Sequence, residues 1–240
     1  MLQIEIKLIK SKKFILPAVI LFLVLLFLAF TNYWVGAKSK ELEGANLAAF
    51  VSTKATQSTI LALFFLFWML QFSIHLQNSG FYKMLVLFGW LRKKLFIYNI
   101  FQIGLYALLL LLLNYLCFAV LSFFYGTNPV QLIFNSEING LLSQYFYLFA
   151  IGLFAVFVGY VWPNYILILP VFIYWLFEGW INNFLVKRFE LDFGKYFPLQ
   201  STQQIISETI LNYTQILTIG IYASLLFVFL NLSIQKKMFV

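Results

Sequence analysis

Six runs of this chain are long and apolar enough to cross a bilayer, at about residues 14–34, 58–75, 96–124, 141–161, 165–183 and 214–234. A crossing helix needs about 20 mostly apolar residues to traverse ~30 Å of hydrocarbon. As a helix, each run satisfies its own backbone hydrogen bonds, and the runs are too long and too uniformly apolar for barrel strands. Composition agrees: 10% of the 240 residues are charged and 63% hydrophobic, against roughly 25% charged in an ordinary soluble domain. Water cannot solvate a surface so poor in charge, and no stretch is left for a separate soluble domain. The expected fold is an all-α membrane protein, a single transmembrane domain over residues 1–240. Tyr33, Trp34, Trp90, Trp162, Trp175 and Trp180 lie near run ends, where aromatic rings suit the headgroup level.

The first run is flanked like a signal peptide, with Lys10, Lys12 and Lys13 before it and Val35-Gly36-Ala37 after it. A signal's apolar core spans roughly 7–15 residues. This run is longer and ends in the bulky Tyr33 and Trp34, so a retained anchor is expected.

Orientation is read from the basic residues. With the N-terminus in the cytoplasm and six crossings, ten basic residues fall inside with one acid, Glu5. They are Lys7, Lys10, Lys12, Lys13, Lys83, Arg92, Lys93, Lys94, Lys236 and Lys237. Outside fall Lys38, Lys40, Lys54, Lys187, Arg188 and Lys195, balanced by Glu41, Glu43, Glu137, Glu190, Asp192 and Glu208. The positive excess sits on one side, as topogenic charge does, which places both termini in the cytoplasm. The net charge of +8 therefore records topology and is not the footprint of a nucleic-acid partner. The connection Trp162-Pro163-Asn164 is so short that the runs flanking it are expected to form an antiparallel hairpin, with Pro163 in the turn.

Residues able to do chemistry are few. His75 is the single histidine, which excludes a multi-histidine zinc site, and no acid cluster suits another metal. Cys117, alone in an apolar run, is read as a packing residue. No phosphate-cradling glycine loop with its lysine occurs, so any ATP would be bound by another chain. No catalytic residue and no cofactor are expected. Glu178 is the one acid well inside an apolar run, where an ionised carboxylate costs a few kcal/mol unless it has a partner or a polar cavity. Its role stays open between a bond to another helix or the outer loop and a substrate or proton site. Gly104, Gly152, Gly159 and Gly220 are candidates for close helix approach.

The connection between the second and third runs, residues 76–94, carries the most information. Asn78, Ser79 and Gly80 break the second helix. A short amphipathic run comes next, with Phe81, Met84, Leu85 and Phe88 at helical spacing, and Gly89 interrupts it before Arg92-Lys93-Lys94. Such a helix lies along the inner interface, apolar residues in bilayer or bundle and Lys83 towards water. A plain juxtamembrane loop with an anchoring basic cluster is the other reading.

With Gly80, Lys83, Leu85, Gly89 and Arg92 in matching places, the chain resembles the ABC-2 type permease family, the six-helix membrane subunits of bacterial ABC exporters. The resemblance implies that residues 76–94 form a coupling helix pressed against a separate ABC ATPase subunit. The family's glutamate before the glycine is not present, and its Pro-x-Ser before the arginine is replaced by Gly89-Trp90-Leu91. Lys7–Lys13 resembles the family's interfacial N-terminal helix, Lys195-Tyr196-Phe197-Pro198-Leu199 its outer Leu-Pro element, and the end at Lys237 its final span. By this resemblance the chain would be a permease subunit in the bacterial cytoplasmic (inner) membrane, without its own ATPase site. It would pair with a second permease subunit as homo- or heterodimer, among membrane lipid. A substrate-binding subunit of a vitamin-type importer, a membrane enzyme and a non-transporting assembly protein are the alternatives. Nothing in the sequence names the substrate.

Overall fold

The computed structural model describes residues 19–24, 26–27, 45–125, 138–190 and 213–236. All regular structure among them is helical, with no strand. The elements are α1 (Ala45–Asn78), α2 (Phe81–Leu87), α3 (Arg92–Tyr125), α4 (Ile138–Val161), a 3-10 turn (Tyr165–Leu167), α5 (Ile168–Phe189) and α6 (Tyr213–Lys236). Among the described residues, four segments are long and apolar enough to cross a membrane: Ile60–Asn78, Arg92–Leu116, Gln144–Val161 and Leu217–Lys236. The chain thus has the build of a multi-pass membrane protein. Of the first expected crossing, residues 19–24 and 26–27 are described and helical. The fifth expected crossing falls on the 3-10 turn and α5. At 34 residues each, α1 and α3 are about 50 Å long, so they tilt or project beyond the ~30 Å hydrocarbon layer.

α4 is the hub, packing against α1, α3 and α6. Glycine makes this possible. A Cβ at Gly152 would lie 2.5 Å from Ile103 Cγ2 and 3.0 Å from Phe65, and one at Gly159 would lie 2.9 Å from Ser73 Cβ. Gly104 meets the Tyr145 hydroxyl at 3.1 Å, whereas Gly220 faces open space. Gly152 and Gly159 therefore serve helix approach, Gly104 leaves room for the Tyr145 hydroxyl, and Gly220 serves neither. Between the two α4 glycines, the Ser73 hydroxyl donates to the Val156 carbonyl across the interface at 3.3 Å. Moving from Gly152 to Gly159 on α4 accompanies moving from Phe65 to Ser73 on α1, so these helices run in the same direction. α3 starts just after α1 ends and packs against both α1 and α4.

Aromatic contacts fill the remaining interfaces. Trp68 on α1 stacks on Tyr106 of α3 at 5.4 Å between centroids, and Phe72 meets the same ring edge-on at 5.9 Å. Phe96 of α3 meets Phe227 of α6 edge-on at 4.7 Å. These separations fall in the favourable range for aromatic pairs.

α5 departs from expectation. Among the described residues it contacts the 3-10 turn and, sparsely, α1, and does not lie along α4. The turn at Trp162-Pro163-Asn164 is as short as expected, yet the hairpin is splayed. Asn164 caps the 3-10 turn, its Oδ1 accepting from the Ile166 N–H at 3.0 Å, and this sends the chain away from α4. Leu169, Phe177, Trp180 and Phe189 of α5 are exposed.

Candidate functional site: the α2 end of the bundle

One end of the bundle collects the C-termini of α1, α4 and α6, the N-terminus of α3 and the whole of α2. Tyr160, near the end of α4, is buried there with its ring edge-on to Tyr82 of α2. An Arg92 guanidinium N–H donates to the Gln235 carbonyl near the end of α6. The basic side chains Lys83, Arg92, Lys93, Lys94 and Lys236 at this end are exposed.

Backbone conformation builds α2. Gly80 adopts the left-handed region, φ 71°, and its N–H donates to Gln77 O at 3.2 Å as α1 terminates. Gly89, φ 81°, ends α2 in a Schellman arrangement. Its N–H donates to Val86 O at 3.0 Å, and that of Trp90 to Leu85 O at 3.0 Å. No atom lies within 4 Å of a Cβ built at either glycine. Both are thus required for their dihedral angles and not for space.

The apolar strip expected on α2 is divided between two surroundings. Phe81 and Leu85 are half-buried and pack on the core, together with Val86. Tyr82 is the buried residue of α2, its hydroxyl donating to Asn99 Oδ1 at 2.7 Å and its ring edge-on to Tyr160 at 5.9 Å. Asn99 is itself held by a bond from Nδ2 to Leu95 O at 3.0 Å. On the other side of α2, Met84 is 53% exposed, Leu87 84% and Phe88 78%, with Leu91 at 67% just beyond. Met84, Leu87 and Phe88 have the spacing of one helical face, and Leu91 follows beyond the turn at Gly89. An apolar ridge beside basic residues therefore projects from this end.

Of the expected coupling residues, Gly80 and Gly89 bound α2, Lys83 lies exposed on it, Leu85 anchors it, and Arg92 opens α3 and ties to α6. Glu178 lies elsewhere, on α5. It is 2% exposed, with Asn182 one turn on at 6% and Tyr174 one turn back. Tyr174 lies in the electrostatic range of both Glu178 and Tyr222 of α6. Glu178 is thus buried on α5 with the buried Asn182 one turn away. His75 is exposed at the end of α1. Pro198, the Lys7–Lys13 segment and most of the outer connection lie outside the described residues.

Sequence reasoning missed Tyr82, and also a polar seam inside the bundle. Asn99, Gln102 and Asn114 on α3 and Gln144 on α4 are at most 6% exposed. Among the described residues, Gln102 Nε2, both amide atoms of Asn114 and Gln144 Oε1 find no hydrogen-bond partner. An unmade bond of this kind costs about 1–3 kcal/mol. The signal was available: positions 99, 102, 106, 110 and 114 share one face of α3, and amides recur there within an apolar run. No group of three or more potential metal ligands occurs among the described residues. Comparison of the chain with family models, with curated proteins and with solved structures returns no match.

Proposed function

We propose that this chain is the membrane-spanning permease subunit of a bacterial ABC transporter, an exporter by its resemblance. In this reading it crosses the cytoplasmic membrane six times with both termini inside, pairs with a second permease subunit, and takes its energy from a separate ATPase. The observation that carries the reading is the exposed apolar side Met84-Leu87-Phe88 of a short helix at the end of the bundle, with exposed Leu91 just after its closing turn and Lys83 and Arg92 beside it. Fully covering an exposed leucine or phenylalanine yields about 1.5–3 kcal/mol. A ridge of this size, on an element braced against the ends of α3 and α4, suits a partner that presses on the bundle from the water side. The excess of basic residues on that side supports a cytoplasmic position for it, where ATP is.

Affinity purification of the detergent-extracted chain tests the reading. The intact chain should recover a subunit that hydrolyses ATP, and Leu87→Asp should release it while leaving the unfolding midpoint of the chain unchanged. Recovery of no ATP-hydrolysing subunit by the intact chain refutes the proposal. A Lys83→Cys variant should resist a membrane-impermeant thiol reagent applied to intact cells, and labelling there would reverse the orientation.

A further inference from the structure

Resting on the permease reading, we infer that the Tyr82 hydroxyl is the link through which movement of α2 is imposed on α3 and α4, making Tyr82 a positioning residue for transport. Three observations converge on it.

Tyr82 is 1% exposed and is the buried residue of a seven-residue helix, with Phe81, Leu85 and Val86 packed half-buried around it against the core. Its 2.7 Å bond to Asn99 ends on a side chain that is also 1% exposed and braced to the Leu95 carbonyl within α3. Displacing the hydroxyl therefore drags the first turns of α3. The ring of Tyr82 meets Tyr160 at 5.9 Å, which couples the same displacement to the end of α4.

The flanks of α2 are the third observation. Both bounding glycines are left-handed, and neither has an atom within 4 Å of its Cβ position. Gly80 and Gly89 are thus the two turns through which α2 joins α1 and α3, and any movement of α2 relative to the bundle would pivot there. A push on Met84, Leu87 and Phe88 would be absorbed by these hinges unless something on the opposite side of α2 passed it on. The Tyr82–Asn99 bond is placed to do so. A hydrogen bond suits the task because it is directional: rocking α2 by an ångström or two either moves Asn99 or breaks the bond.

The test uses the membrane-reconstituted complex of the chain with its ATPase. Spin labels on Tyr125→Cys and Tyr213→Cys, at the far ends of α3 and α6, report bundle rearrangement in a Cys117→Ala background. Tyr82→Phe keeps the ring and removes the hydroxyl. The expected result is retained ATPase binding and retained ATP hydrolysis, with loss of the ATP-dependent change in label distance. Asn99→Leu removes the acceptor and should reproduce that loss. A purely structural role would lower the unfolding midpoint and leave the distance change in place. Retention of the distance change in either folded variant overturns the inference. If the intact chain binds no ATP-hydrolysing subunit, the reading beneath it fails first, and the two failures are thereby distinguished.

Discussion

Alanine at Gly159 and alanine at Gly220 should change stability in opposite directions, although both replace a glycine inside a membrane-spanning helix. In an open helical environment, alanine is favoured over glycine by about 1 kcal/mol. Gly220 offers that environment, with nothing within 4 Å of its Cβ position. Gly220→Ala should therefore stabilise the chain by up to about 1 kcal/mol. At Gly159 the new Cβ would lie 2.9 Å from Ser73 Cβ and 3.3 Å from the Leu70 carbonyl oxygen. Neither neighbour is the far end of a flexible side chain, so α1 and α4 must separate by several tenths of an ångström. The Ser73–Val156 bond, already 3.3 Å, would stretch beyond usefulness. Overpacking costs about 1–3 kcal/mol and the bond about 0.5–1.5 kcal/mol, against the gain of about 1 kcal/mol in helix propensity. The net expectation is a loss of about 1–3 kcal/mol, or about 2–4 °C in apparent melting temperature per kcal/mol for a chain of this length. Thermal unfolding in one detergent, tracked by loss of the monodisperse peak, measures both variants against the parent. A Gly159→Ala midpoint equal to or above that of Gly220→Ala would refute the claim that α1 and α4 touch here.

Phe65→Ala empties a fully buried position beside Gly152, so a loss of about 3–5 kcal/mol is expected in the same unfolding assay. Gly89→Ala forces a side chain into the left-handed region and should cost about 1–2 kcal/mol of local stability, seen as faster amide exchange across α2. Arg92→Ala removes the donor to the Gln235 carbonyl, and exchange should accelerate over the last turn of α6 while the centre of α4 stays protected. Glu178→Gln keeps a hydrogen-bonding side chain in the buried polar group of α5. If the carboxylate serves structure alone, ATP-driven transport by the variant should match the parent, and a large loss of transport in a fully folded variant would assign it to the path.

The positions of four helices, at the second, third, fourth and sixth apolar runs, were legible in the sequence because a bilayer demands long apolar runs. The breaks around α2 were legible too, since Gly80 and Gly89 stand where a helix must stop. Facing was not legible. In α3 and α4 the residues toward lipid are as apolar as those toward the core, so periodicity marks no inner side. Hence Gly152 and Gly220 look alike in the sequence, although one is pressed against Ile103 and the other is open. On α2 the spacing of Phe81, Met84, Leu85 and Phe88 suggested one strip, but the buried anchor is Tyr82. A tyrosine whose hydroxyl finds an amide can be buried like a phenylalanine, and Asn99 lies too far along the chain for local pattern to pair them. The splayed α5 was hidden for a similar reason, because loop length limits the distance between two helix ends and not the angle between their axes.

The central place of α4 has a consequence for biogenesis. The ribosome releases α1 and α3 before α4 exists, and both carry surfaces shaped for a helix that emerges later. Gly159 lies 86 residues after Ser73, its partner on α1, so that surface stays uncovered until the segment ending at Val161 has been threaded into the bilayer. Closure of the core is therefore timed by synthesis, and the nascent chain depends on whatever the insertion machinery offers its first helices in the interval.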